Sequence, residues 1–250
     1  MKKLIVLLVL LVPMIVLSQG QPKASNKGSK SPGFPASAPS NRSVTPGTLV
    51  WSQLPDCASG VIYASQLDVA QGYDLRSGDD FLFTTAPGEI TAVKWWIGWY
   101  NGTYAAPSSF NIYIYDDASC LPGNIVTSYN ILFANANEDA SCNTGGFDTR
   151  EYWAILSPSF VPVANQHYWI SFQPVLPIFP QTGMVGSTSI NLCGGAQQFL
   201  APWVTVDNPA TDFSFELYAM QQEVPVSNWA LLAGGVLIAA AIFFRYRRMA

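Results

Sequence analysis

Charge is scarce in this chain. Of its 250 residues, 12 are Lys or Arg and 16 are Asp or Glu, 11% together, against roughly 25% in an average soluble domain. The shortage of Glu and Lys excludes a long coiled coil, and the shortage of bases excludes the basic stripe of a nucleic-acid binder. Histidine is scarcer still. His167 is the only one, so a Ser-His-Asp or Cys-His mechanism would have to use it; beside Tyr168-Trp169 at a strand start it reads as a structural histidine. P-loop, GxGxxG, HExxH, GxSxG and CxxC patterns are all missing, which leaves no motif for phosphate, dinucleotide, zinc or nucleophilic chemistry. No catalytic residue is assigned, and calcium is the only cofactor with a candidate site.

What charge there is falls unevenly. Between Thr48 and Ala219 stand three bases, Arg76, Lys94 and Arg150, against fifteen acids, a net charge of −12. The other bases sit in the two ends and a spacer. Met1-Lys2-Lys3 followed by the apolar run Leu4 to Leu17 has the charged head and short greasy stretch of a secretory signal peptide, expected over 1–18 with cleavage before Gln19. Residues 19–47 are rich in Ser, Pro, Gly, Asn and Lys, a composition that buries too little apolar area to offset ordering entropy, and form a spacer.

At the other end, 220–228 carries Val224-Pro225-Val226-Ser227-Asn228-Trp229 into an uncharged run over 229–244, followed by a basic tail at 245–250 with Arg245, Arg247 and Arg248. Sixteen helical residues cover about 24 Å, enough to span with Trp229 and Tyr246 at the interfaces and the arginines snorkelling to the cytoplasmic side. The domain is then exported, which agrees with the signal peptide. The Pro-containing motif, apolar span and terminal Arg cluster resemble the three-part C-terminal sorting signals of the PEP-CTERM and IPTL-CTERM type. That resemblance implies processing by an exosortase-like membrane enzyme and release to the cell surface or medium; a permanent single-span anchor is the alternative.

Over 48–219 the aromatic and aliphatic residues recur at strand period. Phe81 and Phe83 alternate, as do Val93, Trp95, Ile97 and Trp99, and Phe110, Ile112 and Ile114; further strands are expected within 61–67, 125–133, 152–156, 168–172 and 213–217. Turn clusters separate them, among them Ser77-Gly78-Asp79, Asn101-Gly102 and Leu121-Pro122-Gly123. The expected fold is all-β, a single β-sandwich of jelly-roll type. The order Asp79-Asp80-Phe81, Val93-Lys94-Trp95, Phe110 to Asp116, Leu121-Pro122-Gly123 and Tyr168-Trp169-Ile170-Ser171 resembles a β-sandwich domain of secreted bacterial proteins with CTERM-type tails. This implies fold and surface location and no reaction.

Four cysteines, Cys57, Cys120, Cys142 and Cys193, all in the exported part, suggest two disulfides. The favoured pairing is Cys120 with Cys142, stapling the ends of the 125–133 excursion, and Cys57 with Cys193. Asp79-Asp80 and Asp116-Asp117 sit beside expected turns, where Asp bonds local backbone. Asn135, Asn137 and Asp139 alternate like the oxygen ligands of a calcium loop. In Lys94 to Tyr100, Trp95 and Trp99 share one strand face and Trp96 and Tyr100 the other. One face belongs to the core; the second is either covered too or a flat platform for sugar rings. Two functions of different class follow: a non-enzymatic surface or matrix protein in contact with membrane and extracellular polysaccharide, or a secreted carbohydrate-active enzyme using paired carboxylates.

Overall fold

The alternation of apolar and small polar residues folds as strands almost throughout. In the computed structural model residues 47–58, 61–140, 144, 146–189, 191–199, 202–206 and 211–220 are described. The signal peptide, most of the spacer, the sorting motif Val224 to Trp229, the apolar span, Arg245, Arg247, Arg248 and Cys142 lie outside them. Among the described residues no helix is long and apolar enough to cross a membrane.

The strands in chain order are β1 (Thr48–Gln53), β2 (Ile62–Ala64), β3 (Gln66–Asp68), β4 (Tyr73–Leu82), β5 (Ile90–Tyr100), β6 (Ser109–Asp117), β7 (Pro122–Leu132), β8 (Asn137–Ala140), β9 (Asp148–Phe160), β10 (His167–Val175), β11 (Gln181–Val185), β12 (Ala196–Phe199), β13 (Val204–Thr205) and β14 (Phe215–Ala219). They make two sheets. In the first, β5 is paired on one side by β9, which carries β8, and on the other by β14 and β11, which carry β1 and β2. The second runs β13-β12-β4-β3-β10-β6-β7, with β4 also paired to β10.

The sheets face each other across one core. Val93, Trp95, Ile97 and Trp99 of β5 and Tyr152 of β9 meet Phe81 of β4, Phe110, Ile112 and Ile114 of β6, and Tyr168, Ile170 and Phe172 of β10. The period of two places these residues on one face of each strand, giving the β-sandwich-like, all-β architecture expected from the pattern. The expected strand over 61–67 is two strands in different sheets. Ser65 is the switch: its N–H donates to Thr182 O at 3.0 Å in the first sheet and its hydroxyl to Phe172 O at 2.7 Å in the second.

Ser77-Gly78-Asp79 does not turn but lies inside β4. Gly78 serves close approach instead, since a Cβ there would stand 3.0 Å from Ile170 O. Close approach is tighter still at Gly183, paired between Gly98 and Ala64, where a Cβ would meet Tyr63 O at 2.1 Å.

Candidate functional site

Putting Asp79 and Asp80 in a strand rather than a turn sends their side chains to opposite faces. Asp79 shares the inward face with Phe81, where an ionised group is costly. There it meets Gln53 at the end of β1 and Asp212 just before β14. Asp80 points to the outer face of the second sheet, directly across the ladder from Trp169. Asp79, Asp80 and Asp212 each retain 0% exposure.

Each carboxylate has its own set of donors. Asp79 Oδ1 accepts the Asp80 N–H at 2.8 Å, and its Oδ2 accepts the Phe213 N–H and, at 3.5 Å, the Gln53 amide. The same Gln53 nitrogen donates to Asp212 Oδ2 at 3.1 Å, which also takes the Asn191 N–H. Asp80 Oδ2 lies 2.7 Å from His167 Nε2 and accepts the Cys193 N–H at 2.9 Å. The other ring nitrogen of His167 lies 3.3 Å from Asp117 Oδ1, which takes the Trp169 indole N–H at 2.9 Å. The stretch 191–193 thus aims two backbone N–H groups at two different carboxylates.

Burial pushes the Asp79 carboxyl well above its ordinary range, and repulsion from Asp212 and Asp80 adds to it against the opposing Phe213 and Asp80 N–H bonds. Asp212 is pushed up to about 6, chiefly by burial, with the Asn191 N–H opposing and the charge of Asp80 reinforcing. Asp80 is raised by burial against the pull of the Cys193 N–H and His167. Three acids are thus close enough to feel one another, with one imidazole and no Lys or Arg bonded to them among the described residues.

Neither a protein-family model nor a curated protein sequence matches this chain. Its site must therefore be read from its own geometry.

The structure relocates several residues singled out above. Trp96 and Tyr100 retain only 3% and 4% exposure, so the second face of β5 is covered and offers no sugar platform. Tyr100 packs with Ile62, Ala64 and Leu75 in a smaller cluster, and the Lys94 ammonium lies 5.9 Å from the Trp96 ring, held by Glu151 and Glu216. Trp96→Ala should therefore cost about 3 kcal/mol of stability, in the range for large-to-small core changes, and leave glycan binding unaltered. Urea denaturation beside a glycan array checks both halves.

Cys120 bonds Cys193, not Cys142, with Cα atoms 5.4 Å apart. The strand expected over 125–133 is there, almost all of it in β7, and it is held along its length by β6, so its ends need no staple. With Cys193 taken by Cys120, the pairing of Cys57 with Cys193 fails as well; Cys57 is itself disulfide-bonded. Asn137 and Asp139 stand on β8, opposite Trp153 and Glu151, and Asn135 ends a 3-10 turn; the stretch is a paired strand rather than an ion-wrapping loop. Glu138 between them accepts from the Tyr104 hydroxyl at 2.7 Å and faces Arg150 at 3.5 Å. Asp116 and Asp117 do bond turn backbone, accepting from the N–H groups of Asn124 and Cys120.

His167 is clamped between two aspartates, Asp80 and Asp117. Gln53, Asp212 and Asn191 were not singled out from sequence. The signal that points to the cluster is Asp79 itself, an acid two residues from Phe81 and hence on the core face of an apolar strand.

Proposed function

We propose that this chain is an exported, non-enzymatic surface or matrix protein, a jelly-roll-type β-sandwich carried on a membrane-directed C-terminal segment. One observation carries the reading: Cys57, Cys120 and Cys193, every cysteine among the described residues, are in disulfides, as befits an oxidising compartment outside the cytoplasm. The acidic surplus of the domain and the basic ends fit the same topology. The carboxylates that converge are sealed from solvent, which favours a scaffold over a glycosidase, whose acids must flank a sugar and a water. Without Trp96 and Tyr100, contact with extracellular polysaccharide falls to loops and edge strands. The tail, on its resemblance to PEP-CTERM-type signals, engages an exosortase-like enzyme in the membrane.

Intact-mass analysis of the protein from membrane and medium tests this. A medium form ending near Pro225 is the expected result, with intact disulfides in non-reducing peptide maps. A membrane-only form ending at Ala250 replaces sorting by a simple anchor. A cytosolic form with free thiols overturns export, and glycan hydrolysis abolished by Asp212→Asn overturns the non-enzymatic reading.

A further inference from the structure

Both ends of the domain leave from one place. Thr48, which opens β1, is paired with Ala219, which closes β14, and Ala219 is paired with Ile90 at the start of β5. Ile90 is paired in turn with Phe160 at the end of β9, and Leu82 at the end of β4 with His167 at the start of β10. The two chain ends, the β4–β5 connection over 83–89 and the β9–β10 connection over 161–166 therefore share one end of the sandwich. Hydrogen bonds tie them into a single surface. The Met220 N–H donates to Glu89 O at 3.1 Å, the Asn165 N–H to Phe83 O at 2.7 Å, and the Ser159 hydroxyl to Glu89 Oε2 at 2.8 Å.

What this end shows to solvent is apolar and poor in charge. Met220, Val161 and Val163 are 63%, 62% and 58% exposed, while Pro162 between the valines is buried and anchors their loop. Glu89 is the only charged residue in 83–89 and 159–166, and Ser159 engages it. Of the acids at the adjoining end of β6, Asp116 accepts the Asn124 N–H, and Asp117 accepts the Cys120 N–H and the Trp169 indole. A domain of net charge −12 thus turns a nearly uncharged surface toward the place where its chain continues. The continuation is short: residues 221–228 alone separate Met220 from Trp229, where the apolar run begins, a reach of at most about 30 Å when fully extended. Arg42, with Lys23, Lys27 and Lys30 before it, precedes Gly47 and Thr48 at the same end.

We propose that this end of the sandwich is a membrane-docking face, with Val161, Val163 and Met220 seated in the interface of an anionic bilayer that holds the C-terminal segment. The proposal rests on the membrane-directed reading of 229–244 and adds to it an orientation: the domain stands on its terminal end instead of swinging free on the tail. A few aliphatic side chains bind a bilayer weakly by themselves. A tether this short makes the step intramolecular, so that effective concentration supplies what affinity lacks. The acidic surplus of the domain would hold its other surfaces off anionic headgroups, whereas the bases that precede β1 favour them, as basic flanks do beside an interfacial apolar patch. Val69 and Phe179 are exposed as well, but they lie in the connections on either side of β3 and β10 at the opposite end, away from the tether.

The test uses the full chain reconstituted into vesicles of phosphatidylethanolamine and phosphatidylglycerol. An environment-sensitive fluorophore is attached at Thr85→Cys, in the β4–β5 connection, or at Gln71→Cys, in the turn before β4 at the other end; both positions are exposed. The dye at position 85 is expected to emit at shorter wavelength and to lose quenching by aqueous iodide, while the dye at position 71 stays fully quenched. Adding Val161→Asp and Met220→Asp to the Thr85→Cys chain should restore quenching with the chain still floating with the vesicles. Both side chains are exposed, so folding is spared; should the double variant fold poorly, Val161→Ser alone is read in the same way. A chain that floats with the vesicles yet is quenched equally at 85 and 71 overturns the docking face and leaves the tail reading standing. Shielding that survives the aspartates, or that is equal at position 71, overturns it too. A chain that does not float overturns the membrane-directed tail, and the docking face with it.

Discussion

Trp95→Ala is expected to cost about 3–5 kcal/mol, the usual range for truncating a buried large aromatic. Set against a total stability of about 5–15 kcal/mol for an ordinary domain, that is enough to leave a measurable unfolded fraction or prevent folding. Trp95 is fully buried at the middle of β5 and touches both sheets. Its ring meets Phe110 edge-on at 5.1 Å, stacks on Phe172 at 5.2 Å with 10° between planes, and stacks on Tyr152 at 5.8 Å. Each such pair adds about 0.5–1.5 kcal/mol beyond area burial, and all three end with the indole. Trp95→Phe should be much milder. The Trp95 indole N–H has no acceptor, and an unmet buried donor carries a penalty of about 1–3 kcal/mol that phenylalanine removes while filling most of the space. Urea denaturation of the two variants tests the pair. A loss below about 1 kcal/mol in the alanine variant would mean that the sheets do not depend on this contact.

The strands built from large alternating residues were legible because the period-two signal is strong where one face is apolar. Val93 to Trp99, Phe110 to Ile114 and Tyr168 to Phe172 all lie where the pattern puts them. The strands not anticipated are short or weakly patterned. β11 is Gln181 to Val185 with a central glycine, β12 is Ala196 to Phe199, and β8 is Asn137 to Ala140. Nothing in their local composition separates them from loops; they are strands because a longer neighbour supplies the ladder. Phe179-Pro180-Gln181-Thr182-Gly183, which superficially resembles a sortase box, illustrates the point. Thr182 retains 0% exposure and donates from its N–H to Gln66 Oε1 at 2.9 Å.

The buried acids were half legible. Asp79-Asp80 stood out as a pair, but the turn chemistry of Ser77-Gly78-Asp79 drew them to the surface, and tertiary pairing with β10 overrode it. Asp212 lies 132 residues further along the chain and carries no local mark. Its role is set by β14 returning beside β1, which brings it to Gln53. The same holds for Trp96 and Tyr100. Alternation determined that they share a face, while whether that face is covered depended on packing that no local pattern encodes.

Replacing Cys120 and Cys193 together by serine is expected to lower stability by about 4 kcal/mol in the chain-entropy account, given a sequence separation of 73. The expected Cys120–Cys142 link, closing a much shorter loop, would have been worth about 1 kcal/mol less on the same account. The observed bond does more than close a loop. It ties the turn between β6 and β7 to the stretch before β12, and from that stretch the Cys193 N–H reaches Asp80. Once the stretch is untethered, Asp80 is less firmly held to its backbone donor. Equilibrium unfolding of the double-serine variant measures the loss. A loss below about 1 kcal/mol would show that the backbone N–H bonds from positions 191 and 193 to Asp212 and Asp80 hold the stretch in place without the cross-link.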